Sequence, residues 1–496
     1  MRSFTTVCLW AYYIYQASAA AVADFRSSLN AAGIQAVFPG DPDYADSSRA
    51  FNRRFTFSPV AVTYPTSANQ VADVVKLGTA YNYKIVARSG GHSYVANGLG
   101  GANGALVVDL KGLSQITVSS NTATIGTGNR LGDVALALND HGRAIPHGTC
   151  PYVGIGGHSS YGGFGFTSRM WGLTLDTVTS MDVVLANGTI ATLSETQSPD
   201  LFWAMRGAGG SYGIVTSITV NTFQAPASAM VFEYMWQFSA SAAANAASAF
   251  QQFVQGTDLP REFDSEFTIS KGNSPGTVTL QFVGGWYGPQ DQFNAVVSPY
   301  LAQLPRPSSS KFTPGSYINS VAYLAGGDSL NVHDKPDGTD TFYAKSLMTP
   351  ENSPISLTAL NAFMSYMGNE GYNTNLNWFV QMELYGGRNS AINSVAPDAT
   401  AFGKRDALWT IQFYASSPNW APPYPSSGFT FLDNMVNSII SNSPADWNYG
   451  AYANYIDNRL SNWQQIYYGS HYQQLRQLKQ TYDPNNVFSF PLGIEE

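Results

Sequence analysis

The chain has 496 residues and is 44% hydrophobic, enough for a large core shared between two or three domains. Charged residues make up 12% of it and aromatics 14%, the net charge is −8, and no Lys/Arg run occurs. This composition argues against a phosphate-tracking basic stripe, and so against nucleic acid as a partner; it suits an extracellular protein that handles neutral ligands.

In chain order, residues 1–19 read as a secretory signal: Arg2, a mostly apolar run from Phe4 to Tyr15, then Ala17-Ser18-Ala19 as a cleavage site. The apolar run is too short to span a bilayer and no later segment is long enough, so neither a membrane anchor nor a membrane partner is expected. The chain is taken as a secreted monomer. Asn187-Gly188-Thr189 is a glycosylation sequon. There are two cysteines, Cys8 and Cys150, and the first is lost with the signal. A secreted chain is then left with one thiol and no disulfide partner, which is either inert and buried, an intermolecular link or a functional group. No cysteine-cluster metal site can be built from it, and no metal is expected.

The first part, 20–228, alternates short strands, modest helices and glycine-rich loops. Phe57–Thr63 predicts a strand. Ser67-Ala68-Asn69-Gln70 is a capping box that opens a helix with Val71, Val74 and Val75 on one face. Lys84–Arg88 is a strand running into a loop, and Leu131–Asp140 is a helix that Gly142 ends. Met181–Leu193 is a hairpin whose Asn187-Gly188 predicts a type I′ turn. Ser198-Pro199 opens another helix, and Ile214–Val220 is a strand. From 229 to 450 the texture changes to long alternating strands at Met230–Phe238, Arg261–Ser270, Thr277–Trp286, Trp378–Tyr385 and Leu408–Tyr414. Helices lie between them, with Pro/Ser loops at 305–310 and 422–427. Residues 451–496 form a polar, Tyr-rich helical tail that returns to the first part. The fold class is α+β: a cofactor domain, then a domain with a large antiparallel sheet flanked by helices.

The glycines concentrate in Arg88-Ser-Gly-Gly-His-Ser-Tyr94 and in His147-Gly-Thr-Cys-Pro-Tyr-Val-Gly-Ile-Gly-Gly-His158, followed by Tyr161-Gly-Gly-Phe-Gly165. Such loops let backbone approach a ligand and hold an anion. No G-x-G-x-x-G opens a helix after a strand with an acid downstream, so a Rossmann site is not supported. On each late strand one face is apolar. The other carries amides, hydroxyls and aromatics: Phe379, Gln381, Glu383 and Tyr385 on one strand, Thr410 and Gln412 on the next. That polar face is either solvated or the roof of a sugar site.

These two loops, with Tyr452-Ala-Asn-Tyr-Ile-Asp457 and Tyr482-Asp-Pro-Asn-Asn-Val-Phe488, resemble the vanillyl-alcohol-oxidase flavoprotein superfamily. Within it the chain is similar to the berberine-bridge-enzyme group, and most of all to fungal gluco-, xylo- and chito-oligosaccharide oxidases. The resemblance implies an FAD-binding domain of the vanillyl-alcohol-oxidase/p-cresol-methylhydroxylase type, with FAD bound covalently through both His92 and Cys150. It also places Arg88, Ser89, Gly90, Gly91, Ser93, Gly148, Val153, Gly154, Gly156, Gly157, His158, Gly162, Gly163, Gly213, Ile214, Val215, Tyr452 and Asn454 against the cofactor. Tyr94, Thr268, Gln381, Gln412 and Tyr452 match substrate-lining positions. Tyr455 matches the catalytic base and Glu383 its partner, one methylene longer than the Asp common there. A small residue at Val153 implies that O2 reaches the flavin.

The resulting expectation is oxidation of a reducing-end oligosaccharide at its anomeric carbon to the lactone, with O2 reduced to hydrogen peroxide. The rival readings are oxidation of a phenolic, alkaloid or secondary-metabolite substrate on the same scaffold, and a flavin-bearing binding protein; intact Tyr455 and Glu383 argue against the last.

Overall fold

The computed structural model describes residues 22–496 except Asp328. The expected signal segment and Cys8 lie outside the described residues.

Strands Ala61–Tyr64, Leu106–Asp109 and Ile85–Arg88 lie parallel, and Gln35–Val37 adds antiparallel to the first, giving a four-stranded sheet. Parallel neighbours require a crossover, and helix Ala68–Ala80 supplies the one between Ala61–Tyr64 and Ile85–Arg88. Half of the expected capping box forms: the Ser67 hydroxyl accepts the Gln70 N–H, while the Gln70 side-chain oxygen accepts the Thr66 N–H in place of that of Ser67, and Val71, Val74 and Val75 are buried. The first of these strands is shorter than the expected 57–63, because Pro59 has no N–H for the ladder and pairing begins only after it.

A second, antiparallel sheet runs Ile116–Val118, Thr122–Gly126, Gly213–Asn221, Val178–Leu185, Ile190–Ser194. Its last hairpin does not contain the expected type I′ turn. Only Gly188 has a positive φ, 76°. The Gly188 N–H donates to Leu185 O at 2.8 Å and the Leu185 N–H to Thr189 O at 2.9 Å, which makes a three-residue turn. The Asn187 carboxamide oxygen accepts the Thr189 N–H at 2.9 Å, and this local bond keeps Asn187 out of the left-handed region. Asn187 itself is exposed at the tip.

The later part is built on a seven-stranded sheet in the order Ser309–Gly315, Ala229–Ser239, Thr277–Trp286, Phe263–Lys271, Asn377–Leu384, Ala407–Ser416, Phe342–Pro350, every neighbouring pair antiparallel. Strand alternation sends Trp378, Val380, Met382 and Leu384, with Trp409, Ile411 and Phe413, into one core. Helices Ala240–Gly256, Leu357–Asn373 and Ser426–Ile440 cover that face, contributing Phe250, Phe363 and Leu432, each 0% exposed. On the opposite face residues fall into cross-strand rows. Thr268, Gln381 and Gln412 are in register in one row, and Glu266, Glu383 and Thr410 in the next.

Two strands of this sheet depart from expectation. Ser309–Gly315 begins inside the segment read as a Pro/Ser loop; it is an exposed edge strand, where Pro314 is tolerated. Phe342–Pro350 was not anticipated, because its polar residues Lys345 and Ser346 are adjacent and show no alternation.

The two parts are tied by buried cations. Arg169, 0% exposed, donates to the carbonyls of Pro260, Phe263, Gly386 and Arg388. Arg405 makes a bidentate pair with Asp176 at 2.8 and 2.7 Å. The tail is less regular than a continuous helix: a 3-10 turn at Ala453–Tyr455, a wide turn at Gln464–Tyr468 and helix Tyr472–Tyr482. It packs back on the first part. The Ile85 N–H donates to Val487 O at 2.9 Å. Lys479 Nζ donates to Ser211 O, Asp483 Oδ2 and Phe488 O at 2.8, 2.7 and 2.8 Å. Among the described residues no helix is long and apolar enough to cross a membrane.

Candidate active site

A cavity of about 380 Å³ opens between the glycine loops, the polar face of the large sheet and the tail. From the first loop it is lined by Arg88, Ser89, Gly90, Gly91, His92, Ser93 and Tyr94; from the second by Gly148, Cys150, Val153, Gly154, Gly156, Gly157 and His158. Gly213, Val215, Gln381, Gln412, Tyr452, Asn454 and Tyr455 complete the set of expected residues in the wall.

The two loops meet backbone to backbone. A Cβ on Gly90 would stand 2.3 Å from Gly154 N, and one on Gly154 would stand 2.0 Å from Gly90 N, so neither position tolerates a side chain. The Ser89 hydroxyl, which donates to Thr127 O at 2.5 Å, also accepts the Gly156 N–H at 3.3 Å. Arg88 is held by Asp109, its Nε 2.7 Å from Oδ2, and lies along the wall. The Cys150 thiol is free and exposed. His92 stacks on Phe51 at 4.1 Å between ring centroids, and its Nε2 lies 2.6 Å from Asp337 Oδ2.

His158 is buried and its Nε2 accepts the Gly148 N–H at 3.0 Å. Burial first, then neighbouring His147, pushes its pKa down to about 3 from 6.5. The neutral ring is thus the folded form, and His158 braces the Cys150 loop. A depressed imidazole pKa means that the unfolded chain binds the extra proton. Stability is full above about pH 6.5 and falls as pH drops from there toward 3. The slope of unfolding free energy against pH between about 6 and 4 should therefore be shallower in His158→Gln than in the wild type, by up to about 1.4 kcal/mol per pH unit. Urea titrations across that range measure it; parallel lines would show that His158 is not the group responsible.

Four of the residues expected to line the cavity do not. Ile214 points away from the cavity, into the core with Val184, Val108 and Phe488, because it alternates with Gly213 and Val215, which do line it. Gly162 and Gly163 lie behind Tyr452 instead of in the wall. A Cβ on Gly162 would meet the Tyr452 ring at 2.6 Å, and the Gly163 N–H donates to the Tyr452 hydroxyl at 2.8 Å. Thr268 is turned to Glu266, donating to its Oε1 at 3.0 Å. Glu266, two residues earlier on the same face, was missed; it is buried and accepts the Gln381 Nε2–H at 2.9 Å. The alternation that marks Gln381 and Glu383 marks Glu266 as well. Phe490 and Leu492, from the last turn of the tail, also line the cavity without any local signal.

Glu383 stands behind the wall. Its Oε1 accepts the Tyr455 hydroxyl at 2.6 Å, and its Oε2 is buried with no hydrogen-bond partner among the described residues. Burial pushes the Glu383 carboxyl well above the usual carboxylate range, and Glu266, opposite it in the sheet, adds to the shift. Enclosure, then the Glu383 charge, pushes the Tyr455 phenol up in turn. Tyr94 lies parallel to Tyr455, 5.9 Å between centroids, and its hydroxyl accepts the Gln412 Nε2–H at 2.6 Å. A strong acceptor for a phenolic proton is therefore hidden behind a tyrosine that faces the cavity, flanked by two oriented carboxamides.

Known proteins give the context. The FAD binding domain family matches residues 59–194 and the berberine and berberine-like family residues 451–495. A glucooligosaccharide oxidase of Sarocladium strictum is 36% identical over 456 residues, covering 90% of this chain and 89% of that protein. The solved structure of a chitooligosaccharide oxidase superposes with a TM-score of 0.89 at 33% identity, over 95% of this chain and 99% of that one. A glucooligosaccharide oxidase from Acremonium strictum with a 6-S-cysteinyl, 8α-N1-histidyl FAD superposes with a TM-score of 0.88 at 33% identity, over 95% and 99%. The chain belongs to the oligosaccharide-oxidase group of berberine-bridge-type FAD oxidoreductases with the vanillyl-alcohol-oxidase fold, which act on CH–OH groups with O2 as acceptor, and its cofactor is bicovalent FAD.

Proposed function

We propose that the chain is a secreted carbohydrate oxidase. It converts the anomeric carbon of a reducing-end oligosaccharide to the lactone and reduces O2 to hydrogen peroxide. The observation that carries this reading is the 2.6 Å bond from Tyr455 to buried Glu383, behind a wall that presents Gln381 and Gln412. We assign residues 20–228 to FAD binding, 229–450 to the substrate and 451–496 to a segment that closes the cofactor site.

The residues fit FAD. The close Gly90–Gly154 contact forms a cradle without side chains, and a free thiol and an imidazole open onto the same cavity. In this reading Cys150 bonds the ring and Nδ1 of His92 the ring methyl, leaving Nε2 for Asp337. When bound, FAD accepts the hydride from the substrate carbon. The protein moves the proton. A hemiacetal hydroxyl is too weak an acid to ionise unaided, so it passes its proton to the Tyr455 oxygen while Tyr455 passes its own to Glu383. The raised carboxyl pKa makes Glu383 a stronger acceptor than an exposed carboxylate. Glu266 engages one N–H of Gln381 and Tyr94 one N–H of Gln412, which leaves each carboxamide oxygen available to a sugar hydroxyl. Val153 lines the wall, and in this reading its small side chain leaves room for O2.

Peroxide release should follow addition of cello-, xylo- or chito-oligosaccharides and should disappear when the reducing end is blocked as a glycoside. Turnover of the blocked sugar would move the chemistry away from the anomeric carbon. Turnover of phenolic alcohols alone would favour the rival substrate class.

A further inference from the structure

Asp337 lies in the connection between helix Tyr317–Leu324 and strand Phe342–Pro350, far in sequence from both glycine loops. Its carboxylate nevertheless sits 2.6 Å from His92 Nε2, and both side chains are largely shielded, 23% and 9% exposed. The connection is fastened beside the second attachment loop, where the Tyr152 hydroxyl donates to Lys335 O at 2.9 Å. Phe51 lies flat on the imidazole, 4.1 Å between centroids at 24°, and fixes its plane. A ring so held has one nitrogen engaged and one presented.

We propose that Asp337 is the positioning group that prepares His92 to form its own bond to FAD. The inference rests on His92 being an attachment point. In the neutral imidazole one nitrogen carries the proton and the other the lone pair, and the hydrogen bond at one nitrogen sets which is which. A carboxylate at Nε2 keeps the proton there and leaves the lone pair on Nδ1. It also stabilises the positive charge that develops on the ring as Nδ1 bonds to carbon. In the step itself the ring methyl of FAD loses a proton to water and Nδ1 forms the C–N bond with its lone pair. The isoalloxazine takes up two electrons, and the Nε2 proton passes toward Asp337. Dioxygen, the acceptor in the group's own reaction, then removes two electrons and two protons as hydrogen peroxide, leaving the attached flavin oxidised. The carboxylate therefore acts once in the life of the molecule, before the first sugar is bound.

The test reads bond formation, not turnover. In the Cys150→Ala background only the histidyl bond can hold flavin through acid denaturation. Samples taken over time after induction, acid-precipitated and weighed by intact-protein mass spectrometry, give the rate of that bond. Adding Asp337→Asn should slow it about 100-fold, the scale of a lost acid–base partner, and Asp337→Glu should recover part of the rate. In the His92→Ala background, which carries flavin through Cys150, Asp337→Asn should leave the flavin content unchanged. Equal rates with and without Asp337→Asn would overturn the proposal. Loss of the cysteinyl flavin too would make Asp337 a general structural residue and overturn it equally. If Cys150→Ala alone carries no acid-stable flavin, His92 is not an attachment point, and that prior reading fails instead.

Discussion

Replacing Tyr455 by Phe is expected to slow flavin reduction by the sugar by about 100-fold or more, the usual range for a lost general base. The variant should still fold, keep both flavin bonds and bind sugar. The ring contacts survive the change, since Tyr455 meets Tyr94 (parallel) and Tyr452 (edge-to-face) through its ring, at 5.9 and 5.0 Å between centroids. What disappears is the single oxygen that joins the cavity to Glu383. In the proposed reading His92 is taken up by the flavin and cannot substitute, and His158 is engaged with Gly148 N–H. A tyrosine that merely packs would show the opposite pattern, a loss of stability with chemistry intact. Anaerobic stopped-flow separates the two: reduction near the wild-type rate would remove Tyr455 from the mechanism.

The largest effect on stability is expected from Lys479→Met. Lys479 and Asp483 are both 0% exposed, one helical turn apart. All three ammonium protons have acceptors, Ser211 O, Asp483 Oδ2 and Phe488 O. Methionine matches the stem but leaves Asp483 as a buried, uncompensated charge. The Val487 and Phe488 N–H groups still donate to it, at 2.8 and 2.9 Å, but they do not neutralise it. Breaking a buried pair from one side costs about 3–5 kcal/mol. Chemical denaturation should show a drop of that size, and Lys479→Met/Asp483→Asn should restore a good part of it. A drop below about 1 kcal/mol would mean that the pair is not sealed from water.

Alternation on the late strands was legible because each has one face packed on helices and one on a polar cavity, so period-two patterning survives in Trp378–Tyr385 and Leu408–Tyr414. Phe342–Pro350 was illegible because its polar residues Lys345 and Ser346 are adjacent and do not alternate with apolar ones, although Ala407–Ser416 is as fully buried. The glycine loops were readable as ligand loops from composition, and their glycines do line the cavity, Gly162, Gly163 and Gly165 excepted. Gly162 and Gly163 look the same in sequence as Gly156 and Gly157; only the position of the Tyr452 ring, contributed from nearly three hundred residues away, separates them. Asp337 carried no local signal at all. Its significance comes from a fold that brings an irregular connection onto His92.

The in-register rows on the polar face act as a ruler. Glu383, with Glu266 and Thr410 beside it, lies on one rung, and Gln381, with Thr268 and Gln412, lies on the next. Same-face neighbours along a strand are about 6.6–6.8 Å apart, somewhat more than the width of one pyranose ring. In the proposed reading the rung that carries the proton acceptor is thereby distinct from the rung that meets the sugar. Changes at Gln381 and Gln412 would then alter the sugar contacts one rung away from the proton acceptor, with Glu266, bonded to Gln381, as the tie between the two rungs. In that reading the choice of glycan and the oxidation chemistry are separable only as far as the Glu266–Gln381 bond allows.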